Sequence, residues 1–436
     1  MLRIAGAATA LAALTLLAPS QPGYDAWAWL LWGRELTEGT LSTAEGPAFK
    51  PLAVAVCALL APLGDDVAPQ AWLLVARAGA IAAVLLAARL ALRLTEPRVD
   101  LAQRDQLAAR WTAAAVAGLG VALSAGWWWH GAVGNSEGLF LALVLAAADR
   151  ALDNRHSPAL GLAAAAALLR PELWPFLGLY GLWLWVRRAA PRPYLAAAAV
   201  AIPALWLVPE LLASGQLSRS ADRAQIPNPG QPATADRPAL ASLDLSTAVP
   251  LLPVLLLSLA ALLHGRTRLL AAFGLAWLAL VAVMAEAGFS GEARYALPGA
   301  ALLAVPAAVT LARAPRSAVA AGAAAVLVAA VLRAGAVDGE LARAADDARL
   351  WSSLPAAIDA AGGRGAVLAC GPPVTGRYRG TGVAYALRVE KRRVRFAGDG
   401  AVLRSRIRSR LTVQPPVPPR ARVLARSARW ELRCRA

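Results

Sequence analysis

Charge is scarce in this chain. Only 16% of its 436 residues are Asp, Glu, Lys or Arg, against 58% hydrophobic, and the mean hydropathy is +0.52. No ordinary soluble protein of this length is so apolar, which excludes the soluble classes. Nucleotide machinery is missing as well. There is no G-x-x-x-x-G-K-[ST] loop to cradle phosphates, which excludes a P-loop ATPase. The stretch Gly362–Gly371 has its glycines before its apolar run and not after it, so the dinucleotide fingerprint fails. With three cysteines, no paired C-x-x-C and no H-E-x-x-H, no zinc motif is recognisable.

What is present is apolar sequence in long runs of Ala, Leu and Val. The pattern predicts an α-helical polytopic membrane protein. Candidate spans are roughly 2–19, 67–94, 111–129, 137–152, 158–170, 173–186, 194–212, 247–263, 268–287, 295–312 and 317–334. Residues 51–62 are apolar but short, and read as a re-entrant or interfacial helix. Met1–Pro19 has the build of a signal peptide, but its length and the spans that follow favour an uncleaved first helix.

The short loops sort by charge. Arg98, Arg104 and Arg110, then Arg150 and Arg155, Arg187, Arg188 and Arg192, Arg266 and Arg268, and Arg313 and Arg316 fall on one side of an eleven-span arrangement. The positive-inside rule makes that side cytoplasmic. The arrangement requires that 158–187 be two short helices meeting at Arg170-Pro171-Glu172, and prolines 171 and 175 favour that break. The N-terminus is then inside and the C-terminus outside a plasma membrane.

From Gly335 onward there are 20 Lys+Arg and 8 Asp+Glu, so +12 of the net charge of +17 lies in the tail. Residues 1–334 read as the membrane domain, and 335–436 as a small basic extracytoplasmic α/β domain. Strands are predicted at 366–370, 394–396, 422–425 and 430–435, and a helix at 380–391. An outside tail does not meet nucleic acid. Cys370 and Cys434 form either a bridge or two buried thiols.

The outer helix ends hold an unusual set of ionisable groups. Asp25 and Lys50 flank the first outer loop. His130, Asn135 and Glu137 lie in the second, Arg170 and Glu172 in the third. Glu210 begins the fourth, and Glu286, Glu292 and Arg294 lie in the fifth. Charge at bilayer depth is costly and faces a cavity or a partner. The set predicts one polar chamber opening outward. Each member has a structural alternative. Asp25 could be a solvated acid, Lys50 could snorkel to headgroups, and Glu137 could serve a helix N-terminus. Arg170 and Glu172 could be an ion pair, and Glu292 and Arg294 could end a helix. Trp127, Trp128 and Trp129 read as an aromatic belt. The segment 26–36, rich in Trp, reads together with 51–62 as a lipid-facing wall.

The order of these motifs resembles the GT-C superfamily of integral membrane glycosyltransferases, which use polyprenyl-phosphate sugars. The resemblance rests on Asp25 after the first helix and a long first loop ending in Lys50-Pro51-Leu52. It rests also on Ser136-Glu137, on LLRPE at 168–172, and on GEARYALP at 291–298. It covers about residues 1–334 and is nearest the bacterial protein-mannosyltransferase and arabinosyltransferase type. It implies a hexosyl- or pentosyltransferase whose catalytic base is Asp25. Lys50, Arg170 and Arg294 become phosphate ligands, and Glu137, Glu172 and Glu292 orient sugar hydroxyls or hold those cations. The implied partners are a polyprenyl-phosphate-linked sugar, a glycan, lipid or protein acceptor, and membrane lipid. Many members pair two acids in the first loop, whereas this chain has Tyr24-Asp25-Ala26. No cofactor is indicated, and a divalent cation is left open. Two other readings compete: a transporter or lipid flippase, and a non-catalytic envelope scaffold whose tail binds anionic polymer.

Overall fold

The computed structural model describes residues 1–95, 103–263, 265, 267–405 and 414–435. Arg98 and Arg266 lie outside them. Helices form at every expected span position. Among the described residues five are long and apolar enough to cross a membrane: Val67–Leu94, Arg192–Ser214, Arg268–Glu286, Ala293–Arg313 and the helix starting at Arg316. The pair Pro238–Thr247 and Leu252–Leu263, bent by 103°, makes a sixth if taken as one span. Leu2–Thr15, Glu137–Leu152, His156–Ala167 and Trp174–Arg187 are shorter, at 14, 16, 12 and 14 residues.

The break in 158–187 is present. His156–Ala167 and Trp174–Arg187 are separate helices joined through a single 3-10 turn, Pro171–Leu173. Arg170 before Pro171 is extended, as the proline ring requires of its predecessor.

Ala-rich and Gly-rich helices pack closely in this domain. A Cβ on Gly138 would stand 2.6 Å from the Ala80 backbone, and one on Gly79 would stand 2.6 Å from the Leu139 backbone. The Val67–Leu94 and Glu137–Leu152 helices therefore touch backbone to backbone, as small residues allow. That contact sets the depth of Glu137, the next residue. The far end of the same helix is tied by Asp149 to Arg89 at 3.0 Å and to Arg93 at 2.5 Å. Gly138→Ala is expected to cost about 1–3 kcal/mol through overpacking and to lower activity by moving Glu137. Thermal unfolding and transfer assays on the purified variant check both.

The last long helix, Arg316–Ser352, is unbroken for 37 residues and passes through 334/335 into the tail. The tail carries one mixed sheet of β1 (Pro373–Thr375), β2 (Ala401–Ser405), β3 (Ala421–Arg426) and β4 (Trp430–Arg435), in the order β1-β2-β4-β3. β1 pairs parallel with β2, and the other neighbours are antiparallel. The strands expected at 422–425 and 430–435 are β3 and β4. The strand expected at 366–370 is instead the end of a helix, Gly363–Ala369. A short apolar run fits either state, and tertiary packing decided. Residues 394–396 contribute one isolated bridge, Val374 to Arg395, and no strand. The helix expected at 380–391 spans Gly380–Leu387, and Arg388 in the left-handed region ends it. Cys370 and Cys434 are bridged, with Cα atoms 5.4 Å apart, so β4 is tied to the end of the Gly363–Ala369 helix.

The tail packs on the membrane domain through the Tyr24–Glu38 helix. Trp27 contacts Tyr385 and Trp351 at ring distances of 5.0 and 5.9 Å. Arg34 lies over the Tyr385 ring at 4.5 Å and donates to the Tyr385 carbonyl at 3.2 Å. Asp65 bonds Arg34 and Arg388. On its other side Gly33 meets the Cys57 and Ala58 backbone, where a Cβ would stand at 2.6 Å. Residues Asp25–Glu35 are consequently all buried. The expected lipid-facing wall at 26–36 is therefore an interior helix, because the tail covers its aromatic face. Trp127, expected in a belt, is 1% exposed and packs in the bundle core.

Candidate active site

Local structure brings distant residues to one cavity. Gly23 starts the Tyr24–Glu38 helix, its N–H donating to the Val133 carbonyl at 2.8 Å, and so places Asp25 in the first turn. The loop after that helix is pinned at several points. Trp32 Nε1 donates to the Ser42 carbonyl at 3.0 Å, and Phe49 N–H to Ser220 Oγ at 2.8 Å. Arg219 donates to the Pro47 and Gly46 carbonyls at 2.6 and 2.9 Å. Lys50 then caps the Pro51–Leu60 helix, with Pro51 at its first position. The long loop is thus a built wall of the site.

Asp25, Lys50, Glu137, Arg170, Glu172 and Arg294 all line one cavity of about 490 Å³. Asp25 Oδ2 accepts from Arg294 Nη1 at 2.9 Å. Arg294 also reaches Glu292 Oε2 at 3.3 Å and donates to the Tyr295 hydroxyl at 3.1 Å. Arg170, 2% exposed, donates to Glu137 Oε1 at 2.6 Å and to Glu172 Oε1 at 3.2 Å. Arg170 and Arg294 both lie against the Tyr295 ring, at 5.3 and 5.0 Å. Lys50 Nζ donates to Ser136 Oγ at 2.8 Å and lies 5.1 Å from the Trp29 ring centre. It is half-buried because it faces the cavity. Burial and then the Arg170 guanidinium push its ammonium down to about 8, against the pull of Glu137 and Asp25.

The ion pairs leave capacity unused. Glu137 Oε2, Glu172 Oε2 and Arg170 Nε are buried without a hydrogen-bond partner. Buried polar atoms are ordinarily satisfied, so orphans gathered at a cavity mark a place for a polar ligand. The opposite wall is apolar, made by Trp174, Trp206, Leu207, Leu280, Val281 and Met284. Among the described residues no three His, Cys, Asp or Glu side chains gather as a metal cage. The Asp25 carboxylate faces Arg294.

Other residues of the predicted chamber divide. Glu292 is at the rim, where Oε1 accepts from Gln231 Nε2 at 2.7 Å. Glu210 lines the cavity and accepts from the Ser220 N–H at 2.8 Å. Glu286 caps a neighbouring helix by accepting from Ala239 N–H at 3.1 Å, and is not part of the lining. His130 is engaged with Asn135 at 2.8 Å behind the site.

Sequence reasoning gave Ser136 and Tyr295 no role of their own within their motifs, and missed Ser220. Tyr295 adjoins Arg294 within GEARY. Ser136 lies in Gly134-Asn135-Ser136-Glu137-Gly138, which spells G-x-S-x-G. A nucleophile elbow sits between a strand and a helix. Here Ser136 follows a short helix, Trp127–Ala132, and its hydroxyl holds Lys50. The only two lysines in the chain are Lys50 and Lys391, and Lys391 belongs to the tail, 3.4 Å from Glu45.

No family model and no curated protein sequence matches the chain. Among solved structures, the crystal structure of ArnT from Cupriavidus metallidurans bound to undecaprenyl phosphate is similar over 100% of this chain and 98% of that one. The TM-score is 0.61 at 13% identity. The likeness is one of fold, a helical membrane domain with a small C-terminal sheet domain, and it extends over the tail, which the motif order did not cover.

Proposed function

We propose that this chain is a membrane glycosyltransferase that moves a sugar from a polyprenyl-phosphate donor to a hydroxyl of an envelope glycan, lipid or protein. One observation carries the reading. A single cavity holds Asp25 among four acids, three cations, Lys50, Arg170 and Arg294, and an apolar wall. A phosphate on a lipid needs that combination, and the undecaprenyl phosphate bound in the ArnT structure supports it.

The reaction is a single displacement. Asp25 takes the proton from the acceptor hydroxyl as that oxygen attacks the anomeric carbon. The bond from that carbon to the phosphate oxygen breaks, and polyprenyl phosphate departs with the electron pair. Lys50, Arg170 and Arg294 offset the charge that develops there, the arginines as forks. The anomeric centre inverts. Glu137 and Glu172 hold Arg170, and Glu292 holds Arg294 at the rim. The polyprenyl chain leaves past Trp174, which lines both this cavity and an apolar groove of about 560 Å³ among the 156–167, 174–187 and 192–214 helices. Eleven crossings, with the N-terminus inside and the tail outside, put the cavity on the extracytoplasmic side, and the bridged Cys370–Cys434 pair supports that placement.

Membranes containing the chain, given a radiolabelled polyprenyl-phosphate sugar, are expected to transfer label to membrane acceptors. No transfer from any lipid donor would overturn the reading. Lys50 supplies a pH signature. Its ammonium is charged below about pH 8 and neutral above, so donor-phosphate affinity is expected to fall by up to about tenfold per unit above that pH. Lys50→Arg, charged throughout, is expected to flatten the decline. Binding of farnesyl phosphate between pH 7 and 10 checks this, and identical profiles for the two proteins would sink it.

A further inference from the structure

Lys50 is held from behind. Its Nζ donates to Ser136 Oγ at 2.8 Å and lies 5.1 Å from the centre of the Trp29 ring. Both partners are sealed, Ser136 at 0% and Trp29 at 1% exposure, and of the three only Lys50 lines the cavity. The two partners are fixed to each other through Trp72. That ring meets Trp29 edge to face at 5.5 Å, and its Nε1 donates to the Gly134 carbonyl at 2.9 Å, two residues before Ser136. Gly134 has a φ of 78°, and a Cβ there would stand 2.9 Å from the Leu73 side chain and 3.1 Å from Trp72 Nε1, so the approach needs glycine.

Ser136 is spared its ordinary duty. It is the N-cap of the Glu137–Leu152 helix, where a serine hydroxyl usually accepts from a backbone N–H of the first turn. Here it makes no such bond, and its ψ of −2° is helical, not the extended backbone of a usual cap. The hydroxyl is committed to Lys50. An ammonium has three N–H donors and no acceptor. One goes to Ser136, the Trp29 face takes the charge on a second side, and the cavity side stays open to a ligand. The other charged groups facing Lys50 are Arg170, Glu137, Asp25 and Arg294. Arg170 holds Glu137 and Arg294 holds Asp25, so each of these acids is already engaged by a guanidinium.

We propose that Ser136 is a positioning residue: with Trp29 it clamps the Lys50 ammonium, keeps it charged, and turns its remaining N–H toward an oxyanion in the cavity. The clamp stands by itself, whereas the identity of that oxyanion as the donor phosphate rests on the transferase reading.

Lys50 and Lys391 are the only lysines in the chain, and Lys391 is 1% exposed, so the charge on Lys50 can be followed directly. The full chain in neutral-lipid nanodiscs is labelled with trace acetic anhydride between pH 6 and 10, and acetylation of the peptide containing Lys50 is measured by mass spectrometry. The anhydride takes only the neutral amine. Ser136→Ala removes an acceptor from the charged form, so the labelling midpoint is expected to fall by about one pH unit. The second measurement is farnesyl phosphate affinity at pH 6, where the ammonium is charged with or without Ser136. Ser136→Ala is expected to weaken it by about fivefold. In a Lys50→Met background the same change should cost less than about twofold, because no ammonium is left to position. An unmoved labelling midpoint would overturn the clamp. So would equal losses in the two backgrounds, which is the outcome a helix-cap role gives. If farnesyl phosphate fails to bind the unaltered protein, the transferase reading fails, and the labelling midpoint still decides whether the clamp exists.

Discussion

Asp25→Asn is expected to lower sugar transfer by about 10³-fold while the protein still binds farnesyl phosphate. Asn keeps the size of the side chain and a carbonyl oxygen for Arg294, but it has no basic oxygen to take the acceptor proton. The loss therefore falls on the chemical step. The Asp25–Arg294 pair at 2.9 Å makes the binding side of the prediction specific. With the carboxylate gone, Arg294 is a cation with one fewer counter-charge, and affinity for the phosphate should stay level or rise. Single-turnover transfer and equilibrium donor binding, measured on the same preparation, separate the two effects. A variant that transfers at the unaltered rate would remove Asp25 from the role of base. A variant that loses donor binding and transfer together would make Asp25 a structural partner of Arg294.

Arg170→Met should be costly for a different reason. Arg170 and Glu137 are each 2% exposed, and Arg170 also holds Glu172. Removing the cation strands two carboxylates in a site with little water, a change worth about 3–5 kcal/mol. Thermal unfolding in detergent is expected to show the loss. Adding Glu137→Gln to Arg170→Met should recover part of it, because the stranded charge is then gone. Arg170→Lys keeps the charge but not the planar fork that reaches both acids, so it should fold better than Arg170→Met and still transfer poorly. Equal stability of Arg170→Met and the unaltered chain would show that the triad is solvated.

The site was legible in the sequence to the extent that charge in an apolar chain is conspicuous. Asp25, Lys50, Glu137, Arg170, Glu172 and Arg294 stand out because burial of charge demands partners; Lys50 finds Ser136, and the others partner one another. The break at Pro171 was legible because proline constrains its predecessor locally. What escaped was set by long-range packing. The Trp-rich segment 26–36 has the composition of an interfacial helix, and nothing within it says that residues 351 and 385 cover it. The run at 366–370 has no period to tell strand from helix. Glu286 has the same chemistry as Glu292 but a backbone N–H for a partner. Ser136 and Tyr295 lie within the motifs but carry no charge, so nothing gave them a role of their own.

The docking of the tail on the Tyr24–Glu38 helix has a consequence for biosynthesis. Asp25 and its partner Arg294 are 269 residues apart, and Tyr24 and Thr381 are 357 apart. At about 5–20 residues per second, the helix that carries the proposed base waits for about 20–70 s of synthesis before its cover exists. Until then Trp27 lacks the Trp351 and Tyr385 rings that cover it. The Tyr24–Glu38 helix is thus among the first parts of the chain to be made and among the last to be covered.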